Sequence, residues 1–497
     1  MSRINNISNH PFAQYSAEEE SDLEAIYYKQ QYYQELLDLT KNGVSRFILG
    51  QRGQGKSATI HHLIGDLKKS NALPVLIRRY DDYPKDNNKE YYLYSVIQGI
   101  VFALAEYLYA NPKSIKKLND TQKNEIGILI EAFYDEWLAE EFLEKAKRIK
   151  QIKKINFWKR LWNYCGVGIA NKALSTVTQI TAQLIQSYTG TNPNFSISEG
   201  EYFQGVKYSE IKTMPKSEIV KFPPANLVKI VQNLVNISQA VGFGTVVVLF
   251  DQIDEVRGVN SDVEKVAEFM LDFLSDTNLL YLRNLSIVIS LWSEAKNQLN
   301  IKNIRFDKFK EVDIRWRDEE LVKLMDKRLL FYSIDKNNPV TFGALIPDYS
   351  DQETIIKLSG GSPRSLITLM SYILSEEQSE DLITTFSADA ISKGCIAFCK
   401  KFDYISLQPS RTGKGSDLKN WIVKLLRMRL TTFNLQQYCT FYSISLSSRV
   451  GGKHVNQMLK FNLIKDALLP SEDGKPIYEV VDPRIIYLIS RGVLEID

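Results

Sequence analysis

The hydrophobic pattern along the chain alternates between short apolar runs and longer helical segments. A short apolar run occupies residues 46–49, and longer runs rich in β-branched residues occupy 245–250 and 285–291. Runs of this length are typical of central strands in a parallel sheet that helices cover on both faces. Residues 72–79 and 310–314 add two further β-rich runs. Strands that alternate with helices predict an α/β domain with a parallel sheet.

The second half of the chain changes from this alternation to a mostly helical pattern. The last 80 or so residues read as three helices and a β-hairpin over 468–481, an order typical of a winged helix. Ser447 and Ser448 are predicted to cap the helix that includes His454. Four regions are therefore expected: an α/β core over 1–85 and 241–316, a helical insertion over 86–240, a helical lid over 317–410, and a winged-helix module over 411–497.

Composition excludes several classes of protein. The 497 residues are 44% hydrophobic and 24% charged, which is close to the average of soluble globular proteins. This excludes a mainly disordered chain, a fibrous repeat and a polytopic membrane protein. The most apolar segment, residues 91–110, contains Gln98 and Glu106 and is predicted to be a buried helix rather than a membrane span. Four scattered cysteines and a polar N-terminus predict a cytoplasmic protein.

A glycine-rich segment supplies the first candidate chemistry. Residues 50–57 read GQRGQGKS and match the pattern G-x-x-x-x-G-K-[ST] between an apolar strand and a helix. Glycines let backbone N–H groups converge on phosphate oxygens, and the helix adds its N-terminal dipole. Lys56 is expected to contact the β- and γ-phosphates of ATP, and Ser57 to bind Mg²⁺. The predicted nucleotide-binding residues are Gly50, Gln51, Arg52, Gly53, Gln54, Gly55, Lys56, Ser57 and Ala58.

An acidic segment follows the apolar run at residues 245–250. Asp251 leaves this predicted strand at its carboxyl end, where ligands of parallel sheets bind. It is therefore expected to hold the Mg²⁺ water shell beside Ser57. Asp254 and Glu255 are the candidates to orient the attacking water in ATP hydrolysis.

The two motifs together resemble those of the P-loop ATPases of the AAA+ and STAND classes. The segment DQIDE at 251–255 is similar to the NACHT-type pattern, in which a small residue usually follows the first Asp; this chain has Gln252 there. Origin-recognition initiator ATPases carry Glu at that position instead. Because that Glu is replaced by Gln252, we favour Glu255 over Asp254 as the residue that activates water.

The resemblance also implies four further candidate site residues. Ser290 and Ser293, near the end of the 285–291 run, lie where AAA+ proteins keep a polar sensor of the γ-phosphate. Arg305 belongs to an R-F-D segment that resembles an arginine finger, which implies a homo-oligomer with sites shared between subunits. Arg364, in the segment GSPR at 361–364, resembles the second sensor of the lid. For Arg305 a surface salt-bridge partner remains the alternative.

The distribution of charge points to possible partners. The net charge is only +3, but residues 145–198 contain no Asp or Glu and nine Lys or Arg, most of them between Lys145 and Arg160. Such a stretch is typical of a surface that binds nucleic acid. A solvated helix, a partner-protein site and, least favoured, an anionic membrane surface remain the alternatives.

The winged-helix module is also basic. Residues 418–465 contain no acidic residue and eight Lys or Arg. A recognition helix there would present Ser448, Arg449, Lys453, His454 and Gln457 to DNA. A regulatory lid that packs on the ATPase is the alternative.

Two classes of function follow. The first is an ATPase switch whose nucleotide state controls oligomeric assembly and action on nucleic acid. The second is a STAND-like scaffold that activates a separately encoded effector protein, for example in bacterial antiphage defence.

Overall fold

The computed structural model describes residues 3–20, 22–80, 83–84, 88–133, 223–256, 259, 262–275, 277–306, 309–378, 381–408, 415–467 and 476–497. Five parallel strands form the central sheet in the order β2-β3-β4-β1-β5. They are β1 (Arg46–Gly50), β2 (Ala72–Ile77), β3 (Thr245–Phe250), β4 (Leu285–Trp292) and β5 (Lys310–Asp313). The predicted α/β fold with a parallel sheet is confirmed.

Helices cover both faces of this sheet. The core helices are α1 (Leu23–Ile26), α2 (Tyr32–Lys41), α3 (Lys56–Lys68), α4 (Lys89–Ala110), α5 (Asp120–Phe133), α6 (Pro224–Val241), α7 (Val263–Leu274), α8 (Thr277–Leu280) and α9 (Ser293–Ile301). Helices α2 and α3 pack on one face, against Ile48, Val247 and Val288. Helices α4, α6, α7 and α9 contribute to the hydrophobic core on the other face.

Helix α4 is part of the sheet's own packing layer. By length and composition it could cross a membrane, yet 56% of its apolar window is buried in the structure. A Cβ at Gly99 would lie 2.5 Å from Val75 Cγ1, so the helix approaches β2 closely. The predicted insertion boundaries 86–240 therefore need correction, because α4 and α6 complete the α/β core. The basic segment 145–198 lies outside the described residues.

The lid consists of α10 (Asp318–Tyr332), α11 (Phe342–Leu345), α12 (Tyr349–Ser359), α13 (Pro363–Glu376) and α14 (Ala388–Lys401). The N-terminal segment packs on this lid. Ile4, Ile7 and Phe12 are buried in the lid's hydrophobic cluster, and isolated bridges pair Ile4 with Ile383 and Ile7 with Ser333. The predicted assignment of residues 1–85 to the core is thus wrong for residues 3–12, since their apolar side chains are buried against the lid.

The C-terminal module has the element order of a winged helix. It contains α15 (Gly415–Met428), β6 (Thr432–Asn434), α16 (Leu435–Phe441), α17 (Val450–Lys460), β7 (Ile464–Asp466), β8 (Ile477–Val480) and α18 (Pro483–Ser490). The three strands form an antiparallel sheet in the order β6-β8-β7. Its side chains belong to the same hydrophobic cluster as those of the lid, so the two regions pack as one unit.

Candidate functional site

The backbone between β1 and α3 forms a tight loop around two glycines. Gly53 and Gly55 have φ angles of 79° and 92°, in the left-handed region that favours glycine. A Cβ at Gly53 would also lie 2.5 Å from Ser362 Oγ of the lid. Helix α3 begins directly after Gly55, so its N-terminal N–H groups face the loop.

The ammonium group of Lys56 lies at the centre of this loop. Its Nζ donates hydrogen bonds to the carbonyl oxygens of Gly50 at 2.9 Å and Gln51 at 3.2 Å. Burial lowers the pKa of Lys56, and the negative charges of Asp254 and Asp251 oppose that shift. A cation in a desolvated pocket is stabilised by a bound anion, so the loop is suited to phosphate.

Asp251 follows β3 directly, two strands away from the loop. It is only 1% exposed, and its Oδ2 is a buried oxygen without a hydrogen-bond partner among the described atoms. Its backbone is fixed, since its N–H donates to Ile77 O at 3.1 Å and its carbonyl accepts from Tyr80 OH at 2.9 Å. A buried carboxylate that lines the same cavity as the Ser57 hydroxyl fits a hard cation such as Mg²⁺.

The two candidate bases follow in a short 3₁₀ helix, Ile253–Glu255. Gln252 enters it with a φ of 60°, and its Nε2 donates to Glu18 Oε1 at 3.0 Å. Asp254 and Glu255 both line the cavity. Desolvation and then the charge of Asp254 raise the pKa of Glu255, while Arg52 opposes the shift. The structure therefore brings both acids to the loop, with Asp254 exerting the largest charge effect on Lys56.

The lid contacts the loop through the start of α13. Ser362 Oγ donates to Gly53 O at 3.2 Å and accepts from the N–H of Ser365 as the helix cap. The Arg364 N–H donates to the same Gly53 oxygen at 3.5 Å. Arg364 lines the cavity, and its positive charge affects the pKa values of both Lys56 and Glu255. The predicted lid arginine thus lies beside the loop.

Ser290 and Arg305 do not line this cavity. Ser290 is 3% exposed and pairs with Ile48 inside β4, because the strand continues to Trp292. The polar residue at the strand end that does reach the loop is Glu294, whose Oε1 accepts from Gln51 Nε2 at 3.3 Å. Arg305 is exposed and borders a separate groove.

The structure adds a second, largely apolar half to the cavity that sequence reasoning missed. It is lined by residues from the N-terminal segment, the core–lid link and the lid, among them Tyr15, Leu23, Ile26, Tyr28, Trp316, Leu324, Arg328, Pro363 and Ile367. No local motif marks these residues. They meet because residues 11–20 are tied to the lid: Arg328 NH2 donates to Gln14 O at 2.8 Å and pairs with Glu20 at 2.6 Å.

Helix α17 presents a second candidate surface, on the winged-helix module. Arg449, Lys453 and Gln457 are exposed, while Val455 and Met458 are buried on the opposite side. Two predictions about this helix are wrong. His454 turns inward, with Nδ1 3.1 Å from Tyr438 OH and its ring against Trp421. Ser448 Oγ donates to Ser445 O instead of capping α17.

No family model matches the chain, and no curated protein matches it in sequence. Solved structures match it at low identity and low TM-score. The Aeropyrum pernix ORC2 protein, in ADPNP-ADP complexes, is 9% identical with a TM-score of 0.43, over 96% of this chain and 98% of that chain. The Aeropyrum pernix ORC1 protein, in complex with DNA, is 10% identical with a TM-score of 0.36, over 97% of this chain and 96% of that chain.

A STAND protein with a tetratricopeptide repeat sensor from Pyrococcus horikoshii is 10% identical with a TM-score of 0.26. That match covers 93% of this chain but 42% of the other. The chain has the α/β P-loop NTPase fold. Three features of this structure show it: the parallel sheet, the phosphate loop after β1 and the acidic segment after β3.

Proposed function

We propose that this chain is an ATP-binding and ATP-hydrolysing switch whose lid and winged-helix module respond to the bound nucleotide. The observation that carries the proposal is the composition of one cavity. Lys56 and Arg364 supply positive charge at the loop, and the apolar half offers aromatic surface. A nucleoside triphosphate has the same division, with a polyanionic tail and a flat, stacking base.

Mg²⁺ would be held between the Ser57 hydroxyl and the Asp251 carboxylate. When bound, the ion neutralises negative charge on the phosphates and orients them. Lys56 would contribute a second cation at the β- and γ-phosphates, and would exchange its bonds to the Gly50 and Gln51 carbonyls for phosphate oxygens. Arg364 would approach from the lid side.

Glu255 is the proposed acceptor of the proton from the attacking water. Its raised pKa makes it a stronger base than an ordinary carboxylate. Asp254, which lines the same cavity, is the alternative base. Whichever of the two carboxylates is the base, it would orient the attacking water and would not contact the Mg²⁺ ion.

The lid would transmit the nucleotide state to the winged helix. Arg364 and Ser362 begin α13, which packs on α14, and the lid shares its hydrophobic core with the winged-helix module. A change at the phosphates that moves α13 therefore moves both regions together. The exposed basic side of α17, with Arg449 and Lys453, is the proposed nucleic-acid contact, supplemented by the segment from Lys145 to Arg160.

This nucleic-acid contact is tested by salt-titrated binding of the full chain to duplex and single-stranded DNA, in ATP and in ADP. The slope of log binding constant against log salt concentration should become shallower by about 1.8 on duplex DNA when two fewer phosphates are neutralised. We therefore expect this reduction for the double variant R449A/K453A. The matched control removes two exposed lid lysines, K323A/K357A, and should keep the slope. No binding at any salt concentration would favour the STAND-like alternative, in which the lid activates a separate effector protein.

We also propose a homo-oligomer in which Arg305 acts on the site of a neighbouring subunit. Its exposure outside the chain's own cavity supports this role. Arginine fingers contribute about 10³ to 10⁵ in rate. The expected result is that R305A binds ATP normally but hydrolyses it poorly, and that mixing it with K56A partly restores turnover.

The control for this experiment is R315A, which removes another exposed arginine near the same sheet edge. Fully active R305A, together with ATPase activity per subunit that is independent of protein concentration, would remove both the finger and the oligomer.

A further inference from the structure

The link between core and lid touches the phosphate loop directly. Trp316, between β5 and α10, donates a hydrogen bond from its indole Nε1 to the Gln54 carbonyl at 2.9 Å. Gln54 lies in the middle of the loop, one residue before Gly55. The Gln54 side chain is used locally, since its Oε1 accepts from the Gln51 N–H at 2.7 Å. The loop is therefore held from inside by Gln54 and from outside by Trp316.

This hydrogen bond restrains the whole Gln54–Gly55 peptide unit and not only the carbonyl oxygen. A peptide unit is planar, and in the trans form the carbonyl of one residue and the N–H of the next point in opposite directions. The described peptide bonds are trans. When the indole holds the Gln54 carbonyl toward the link, the Gly55 N–H is directed away from it. In loops of this pattern, backbone N–H groups of the glycine-rich segment cradle the phosphates.

Trp316 lies in a link that is anchored to both the core and the start of the lid. The Ile314 N–H donates to Leu49 O at 2.8 Å, which ties the link to β1. Gln30 Nε2 donates to Arg315 O at 2.9 Å and to Glu320 of α10 at 3.2 Å. Along the chain, Trp316 lies between Arg315 and the first turn of α10, where Glu320 also accepts from the Arg317 N–H. A displacement of α10 relative to the sheet therefore changes the Trp316 hydrogen bond.

We propose that Trp316 is a positioning residue that couples the orientation of the Gln54–Gly55 peptide to the position of the lid. With the lid in the observed position, the Gly55 N–H is held ready for a phosphate oxygen. When the lid moves away, the peptide loses this restraint and the loop binds phosphate less tightly. The inference rests on the proposed ATP binding and adds a route by which lid movement controls nucleotide release.

The test compares W316F with wild type in the full chain, because phenylalanine keeps an aromatic ring and removes the donor. Affinities for ATP and for inorganic tripolyphosphate are measured by competition against a fluorescent ATP analogue. One lost hydrogen bond corresponds to about a five-fold weaker Kd. We expect that loss for both ligands, because the effect acts on the phosphates. W421F, in the winged-helix module, is the matched control and should bind like wild type.

Two results would overturn the inference while leaving ATP binding intact. In one, W316F binds both ligands like wild type. In the other, it loses affinity for ATP alone, which would mean that the indole only packs beside the base. If wild type binds neither ligand, the proposed function itself fails.

A second measurement covers the case in which W316F does not fold. In wild-type protein labelled with 5-fluorotryptophan, the Trp316 ¹⁹F resonance is assigned from Trp→Phe variants at the other five tryptophans. Tripolyphosphate, which has no base, should shift this resonance because the Gln54–Gly55 peptide is polarised by the bound anion. A resonance that stays unchanged at saturating tripolyphosphate contradicts the coupling.

Discussion

The two halves of the nucleotide cavity are built in different ways. The phosphate half comes mainly from two short segments, within residues 52–58 and 251–255, each just after a buried parallel strand; Arg364 of the lid joins them. The apolar half is assembled from residues 14–28, Trp316 and the two lid helices α10 and α13. The first half is thus encoded locally and the second depends on tertiary packing. It follows that nucleotide chemistry and lid position can be perturbed separately.

The largest expected effect lies in the phosphate half. D251N removes a buried carboxylate charge at the proposed Mg²⁺ site, and metal-ion stabilisation is worth several kcal/mol in such reactions. ATP hydrolysis should fall by at least about 100-fold, measured as phosphate release. D313N is the control, because Asp313 also ends a strand of the sheet but pairs with Arg315 outside the cavity. Equal losses in both variants would mean that the effect is structural.

The next effect concerns the apolar half. Arg328 and Glu20 are buried and paired, and Arg328 Nε also donates to Pro11 O. Removing one partner of such a pair costs about 3–5 kcal/mol, because the other charge stays buried. R328M should therefore lower the free energy of unfolding of the lid by that amount in urea titration. R317M removes an exposed arginine from its pair with Glu320 and should lower the free energy of unfolding much less than R328M does.

A subtler effect separates the two candidate bases. If Glu255 is the base, hydrolysis is lost as the pH falls through its raised pKa, because the carboxylate must be ionised. D254N removes the neighbouring negative charge that helps to raise this pKa. The acid limb of the pH–rate profile should then move to lower pH while activity at neutral pH is retained. An inactive D254N variant would make Asp254 the base.

The smallest expected effect lies at the contact between the lid and the phosphate loop. S362A removes both the cap of α13 and the hydrogen bond to Gly53 O. A lost cap costs about 1 kcal/mol in stability, and the lost loop contact should weaken ATP binding about five-fold. S387A removes the equivalent serine cap of α14, which does not contact the loop. It should reduce stability to a similar extent and leave the Kd for ATP unchanged.

The sequence predicts those parts of the molecule in which local pattern determines structure. Mostly apolar runs mark β1, β3 and β4, because a sheet that helices cover on both faces has no polar face. The winged helix is recognisable from the order of its elements. The sequence places Ser290 near a strand end because periodicity does not locate where a strand buried on both faces stops, and Trp292 extends β4 by one buried residue beyond the predicted run.

The missed features all depend on contacts between distant segments. Phe12 is buried against the lid, more than 300 residues along the chain, and nothing in the polar N-terminus marks that partner. In the sequence Trp316 is only an aromatic residue in a linker, and its hydrogen bond to the Gln54 carbonyl becomes visible only in the structure. The side chain of His454 points inward because Trp421 and Tyr438 lie on that side of α17.

The most direct test of the account is a calorimetric titration of Mg²⁺–ATP into the full chain and two lysine variants. Lys56 and Lys68 stand at opposite ends of α3, and only Lys56 lies in the cavity. The account predicts saturable binding with one ATP per chain for wild type and K68A, and no measurable binding for K56A, which lacks the cation facing the β- and γ-phosphates. Binding of ATP by K56A with wild-type affinity would contradict the account.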